Sequence, residues 1–107
     1  MTDLATLQQA IAEVRSQRGF TNDPLRIFTL LNEEIGEVAG ELKKSWSPNY
    51  GPPDTAKLAE ELVDCLVALC ALASSKDIDL EAGLEEKFFG KGTNRKWASA
   101  VNPIVDE

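Results

Sequence analysis

Two pairs of acids carry the chemistry this sequence offers: Glu34 with Glu37, and Glu61 with Asp64. The members of each pair are three residues apart, so on a helix they stand on neighbouring turns and can grip one ion. If the two helices run antiparallel, the pairs face each other across the contact and share a cluster of cations. Four carboxylates with no counter-charge repel one another, so at neutral pH they require Mg2+, Mn2+ or an array of Lys and Arg. The chain has no histidine, which removes the usual general base, the usual zinc and non-haem iron ligand, and nucleophile pairs of the Ser-His or Cys-His kind. Two cysteines alone make a poor zinc site, and the Glu-x-x-His motif of di-iron bundles cannot be written. Oxygen ligation remains, and it favours hard ions such as Mg2+ or Mn2+.

The second pair lies in the most apolar stretch of the chain, residues 60–73, where Leu62, Val63, Cys65, Leu66, Val67, Leu69, Cys70 and Leu72 surround Asp64. On a helix almost every direction of this stretch is apolar, so it is expected to be enclosed by other helices, with Asp64 inside. A charge so placed costs several kcal/mol unless it is paired, hydrogen-bonded or bound to a metal. Glu61, Glu33, Glu34 and Glu37 are the candidates to share its site.

Four helices are expected to position these acids. Asp3 caps a first, to about Arg18, with Leu4, Leu7, Ala10, Ile11 and Val14 on one face and Gly19 at its end. Asp23 followed by Pro24 starts a second, running to about Lys44, with Ile27, Leu31, Ile35, Val38 and Leu42 as its apolar stripe. Glu34 falls inside that stripe; Glu37 and Glu41 sit at its edge, where either alone also reads as a solvated flank, and Glu33 points farther out. Gly36, inside the helix, is at home where another backbone or a ligand approaches closely. Residues 45–53, with three prolines and a glycine, form a loop that carries Trp46 and Tyr50. These aromatics either fold back as cover for the bundle or present a flat face to a planar ligand, cover being the expected role. Asp54 or Thr55 caps the third helix, which fades at 74–76, and Asp79 caps a shorter fourth through Leu80, Leu84, Phe88 and Phe89. Residues 90–96 form a basic, glycine-containing segment, and from about residue 98 the chain is expected to be irregular because of Pro103. No strand alternation, repeat or low-complexity tract is visible.

At 107 residues, with 43% hydrophobic and 27% charged, the chain reads as one domain, an all-α helical bundle of about four helices completed by oligomerisation, because so short a chain buries only a modest core. No apolar run approaches the roughly 18 residues that span a bilayer, and the N-terminus resembles no secretory signal. A cytoplasmic protein is expected, with Cys65 and Cys70 as unbridged core thiols. The net charge of −7 argues against nucleic acid as a partner.

The two motifs, Asn32-Glu33-Glu34-Ile35-Gly36-Glu37-Val38-Ala39 and Ala59-Glu60-Glu61-Leu62-Val63-Asp64, resemble the E-x-x-E and E-x-x-D signature of the MazG-like, all-α nucleoside triphosphate pyrophosphohydrolases. Asp79-Leu80 and the Lys, Asn and Arg between 87 and 95 extend the resemblance over most of the chain. It implies that Glu34, Glu37, Glu61 and Asp64 ligate Mg2+, with Mn2+ as a substitute, and that the triphosphate is cut between its α- and β-phosphates. The products would be a nucleoside monophosphate and pyrophosphate, in a house-cleaning role on the nucleotide pool. Metal ions can neutralise phosphates and activate water without a histidine. Glu34 or Glu37 would accept the water's proton, with Glu33 as an alternative acid behind them. Lys87, Lys91, Asn94 and Arg95 would hold phosphate oxygens, either Lys87 or Lys91 standing for the family's lysine because 90–93 intervene before Asn94. Trp46, farther from the first motif than the family's base-contacting tryptophan, is a candidate to stack on the base. The resemblance also implies a homo-oligomer, dimer or tetramer, and a stand-alone module. Two other readings use the same acids: a catalytically idle module whose acidic face binds a protein partner, and a phosphohydrolase that releases orthophosphate.

Overall fold

The computed structural model describes residues 3–90, and all four helices form. Helix α1 spans Leu4–Gln17, α2 Pro24–Lys43, α3 Thr55–Ser75 and α4 Leu80–Leu84, the last continuing into one π-helical turn, Glu85–Phe89. A 3-10 turn, Pro48–Tyr50, sits in the loop between α2 and α3. Among the described residues there is no strand, so the fold is the expected all-α bundle. None of these helices is long and apolar enough to cross a membrane.

Each helix starts where a side chain can replace the missing backbone acceptor. Asp3 Oδ1 accepts from Thr6 N at 2.9 Å, Asp23 from Leu25 N, Asp54 from Lys57 N at 3.1 Å, and Asp79 from Glu81 N and Ala82 N. Of the two candidate caps for α3, Asp54 does the capping. Two helices end in the same motif. Beyond α1, Phe20 N returns to Arg15 O and Gly19 N to Ser16 O, with Gly19 at φ +75°. Beyond α3, Ile78 N returns to Ala73 O and Asp77 N to Ser74 O, with Asp77 at φ +57°. These are Schellman turns, in which one residue must enter the left-handed region; Gly does so freely, and Asp is among the few others that tolerate it.

The main packing is α2 against α3, with α1 lying on α3 and touching α4. Ile27 and Cys70 are fully enclosed, and Ala68, Ala71 and Ala73 are buried; the small α3 residues let neighbouring helices come close. The enclosure of α3 is only partial. Leu62, Val63, Leu66 and Leu69 are 45–56% exposed, and on α2 Ile35 and Leu42 are about half exposed. Asp64, expected inside, is exposed, and the buried acid is Glu61 at 7%. The reason is the limited girth of the chain: among the described residues two helices pack on α3, enough to bury Glu61, Ala68, Cys70, Ala71 and Ala73 but not Leu62, Val63, Leu66 and Leu69. Gly36 is open as well: among the described residues a Cβ there would meet nothing within 4 Å, so no backbone of this fold approaches it. Trp46 is 72% exposed and so is not cover for the bundle. Tyr50 is also half exposed, its ring carrying the Lys43 ammonium 4.1 Å from its centroid.

One buried polar side chain ties the ends of the bundle together. Gln8 of α1, 6% exposed, donates through Nε2 to Ser74 Oγ at 3.1 Å and Ile78 O at 2.7 Å, and accepts through Oε1 from Leu80 N at 3.1 Å. Glu81 Oε1 accepts from Ala5 N at 2.9 Å beside it. The α3–α4 turn is thus read by α1 through hydrogen bonds that an apolar side chain of similar size cannot make. Gln8→Leu is expected to cost about 2–3 kcal/mol, because Leu80 N–H and Ile78 C=O lose their partner inside the protein. Urea unfolding should show this as a lower midpoint at unchanged slope.

Candidate metal centre

The antiparallel pairing of α2 and α3 brings the two acid pairs together. Glu34, Glu61 and Asp64 each present a carboxylate oxygen within 4.8 Å of the others, and the Glu37 carboxyl lies beside that of Glu61. The order of these contacts, 34 beside 64 and 37 beside 61, is the one two antiparallel helices give. Glu61 is the deepest of the group: its Oε1, like Glu34 Oε1, is buried without a hydrogen-bond partner. Its Oε2 lies 3.8 Å from Lys57 Nζ, which also reaches Glu60 at 3.7 Å. Lys57 is half exposed, so a long, solvent-screened contact leaves most of the acidic charge unneutralised.

The electrostatics follow from this crowding. The Glu61 carboxyl is held above its ordinary value of 4.5, first by its hydrogen bond with Glu37, then by burial and by repulsion from Glu37 and Asp64, with Lys57 opposing. In the metal-free protein Glu61 therefore holds its proton more tightly than an isolated glutamate does. The Cys65 thiol, one turn beyond Glu61, is pushed up by burial and further by Glu34, Asp64, Glu61 and Glu37. Both cysteines are free.

The donor set suits a hard divalent cation. Oxygens around an octahedral Mg2+ at about 2.1 Å stand roughly 2.9–4.2 Å apart, so small side-chain adjustments would close the three carboxylates on one ion. Two buried carboxylate oxygens without donors are what such an ion would satisfy.

Other candidate residues lie elsewhere. Trp46 is on the exposed loop after α2. Lys87 lines an apolar groove with Leu66 and Leu69, of which Leu66 points away from both Glu61 and Asp64 on the helical wheel of α3. Lys91, Asn94 and Arg95 are outside the described residues. Lys57, 3.8 Å from Glu61, escaped the sequence reading, although its i,i+4 spacing to Glu61 was the signal that could have found it. Glu41, read as a flank, pairs with Lys44 at 2.9 Å.

Fold and site define a class: an all-helical domain whose acids can hold a divalent cation between two antiparallel helices. The chain belongs to the family of the MazG nucleotide pyrophosphohydrolase domain, whose model matches residues 22–96. It is similar to the uncharacterized protein YpjD of Bacillus subtilis (strain 168), 38% identical over 60 residues, which cover 54% of this chain and 54% of that protein. The chain thus matches about half the length of this curated relative. No solved structure matches.

A proton held on Glu61 has a sign that can be checked. Below about pH 4.5 folded and unfolded chains both carry it; above that the unfolded chain releases it first, so this contribution to stability is lost as pH rises through the raised value. Metal-free protein should lose thermal stability over that rise, and Glu61→Gln should flatten the loss. Mg2+ should raise Tm more at neutral pH than near pH 4.5, because there it need not displace the proton.

Proposed function

We propose that this protein hydrolyses nucleoside triphosphates to nucleoside monophosphate and pyrophosphate, using Mg2+ held by Glu34, Glu37, Glu61 and Asp64, with Mn2+ as a substitute. The observation that carries the reading is the buried Glu61 carboxylate, with one unpartnered oxygen, clustered with Asp64 of α3 and with Glu34 across the α2–α3 contact, in a chain of this family. Bound Mg2+ would supply positive charge for the phosphates and a water of lowered pKa. Glu34, Glu61 and Asp64 orient the site from two helices, so its geometry is as rigid as their packing. Glu37 is exposed and stands outside the closest three; it is the carboxylate with room to take the proton of the attacking water. Lys91, Asn94 and Arg95 are assigned to the phosphates, with Lys87 as the alternative lysine, and exposed Trp46 to the base. Removal of excess or modified nucleotides in the cytoplasm is the role this reading gives the enzyme.

A homo-oligomer is part of the same reading. The half-exposed Ile35, Leu42, Leu62 and Val63 give α2 and α3 an apolar surface suited to a second copy. Light scattering should show a dimer or tetramer, and Leu62→Lys should shift it toward the monomer.

Turnover is tested by measuring pyrophosphate and orthophosphate released from a panel of nucleoside triphosphates with Mg2+ or Mn2+. Pyrophosphate release that Asp64→Asn abolishes is expected, with metal binding weakened in the same variant. Glu37→Gln should lower kcat by at least about 100-fold, the range of a lost general base, while retaining more of the metal affinity. Orthophosphate as the product would move the cut to another bond. No turnover by folded, metal-loaded protein would favour the acidic module that binds a protein partner.

A further inference from the structure

A cation stands at the rim of the acid cluster, and it is shared loosely between two acids. Lys57, on the first turn of α3, lies 3.8 Å from Glu61 Oε2 and 3.7 Å from Glu60 Oε1. The two acids are adjacent in sequence but differ in surroundings. The Glu61 side chain is 9% exposed and belongs to the cluster with Glu34 and Asp64, whereas that of Glu60 is 71% exposed and lies outside it. Lys57 stands i,i+3 to Glu60 and i,i+4 to Glu61, both spacings of helical neighbours, so its flexible stem carries the ammonium to either acid with no change of backbone. Glu41, the next acid along α2 from Glu37, is already ion-paired with Lys44 at 2.9 Å.

We infer that Lys57 is a built-in competitor for the cation site: in metal-free protein its ammonium supplies part of the positive charge that Glu61 needs, and a divalent ion that binds Glu61 displaces it onto Glu60. An ion pair this long, made by a half-exposed lysine, is worth little, so breaking it costs little. A divalent ion ligated by Glu61 repels an ammonium that reaches the same carboxylate. Glu60 takes the displaced ammonium at a distance it already holds, in water, where neither group loses hydration. An ammonium has no lone pair, so Lys57 ligates nothing itself; it is a positioning residue that sets metal affinity through Glu61. The neighbouring acids then have separate tasks, Glu61 binding the ion and Glu60 drawing the competitor away from it. The inference rests on the cation site of the reading above and not on the reaction assigned to it.

Calorimetric titration of the full chain with Mn2+, in the absence of nucleotide, tests this. Lys57→Met should bind the ion roughly three- to fivefold more tightly than the parent, the worth of a half-exposed ion pair, and Lys57→Arg should return the affinity to the parent's or below it. Glu60→Gln should weaken binding with Lys57 present and do so clearly less in the Lys57→Met background, because its main effect is to leave the ammonium on Glu61. A Lys57→Met chain that circular dichroism shows to be folded and that binds Mn2+ no better than the parent overturns the inference. Weaker binding in that variant makes Lys57 a support for Glu61 and overturns it equally. So does a Glu60→Gln loss of the same size in both backgrounds, which is the mark of general surface charge. A parent that binds no Mn2+ removes the cation site itself, and only that outcome also reaches the proposed reaction.

Discussion

Repulsion among four carboxylates at the α2–α3 contact is the constraint around which this molecule is arranged. Glu61 is enclosed with an oxygen that nothing in the described chain satisfies, and its neighbours are Glu34, Glu37 and Asp64, not cations. Lys57 is too distant and too solvated to offset them. A buried acid without a partner is costly, and placing three more acids beside it runs against stability. The chain retains them on its two longest helices, where the pairing is most extensive and can bear the strain. Such an arrangement is stable in compensation only when a proton or a cation occupies it, which is why the metal centre and the stability of the fold are one problem here.

The remainder of the bundle can be read as the frame that keeps those two helices in register. Helix α1 buttresses α3 from the side away from the acids, and Gln8 fixes the α3–α4 turn by binding both its carbonyl and its amide. Arg15 closes the α1–α2 connection by donating to Thr21 O at 2.8 Å while lying over the Phe20 ring. These contacts are polar and directional, so they specify geometry more than they add burial. Burial is scarce: only Ile27 and Cys70 among the larger side chains are fully enclosed. A frame with so little core leaves apolar surface on α2, α3 and α4 available to other segments or copies.

How much was legible in the sequence depends on the range of the interaction. The starts at Asp3, Asp23, Asp54 and Asp79 and the stop at Gly19 were readable because a cap and the amide it satisfies are two or three residues apart. The acid pairs were readable because a spacing of three fixes neighbouring turns. The exposure of Asp64, of Trp46 and of Gly36 was not, because periodicity says which residues share a side of a helix and not which side a neighbour covers.

The sequence by itself therefore determined four helices, their ends, and two acid pairs able to meet if their helices ran antiparallel. Only the tertiary structure decided that Glu61 and not Asp64 is the buried acid, that Glu37 lies beside it, and that Gln8 reaches residues some seventy positions away. The physical reason is that capping and helical spacing act over a few residues, whereas burial is set by how many neighbours a short chain can place around each helix. Among the described residues two helices pack on α3, so part of its apolar girth, Leu62, Val63, Leu66 and Leu69, is left uncovered.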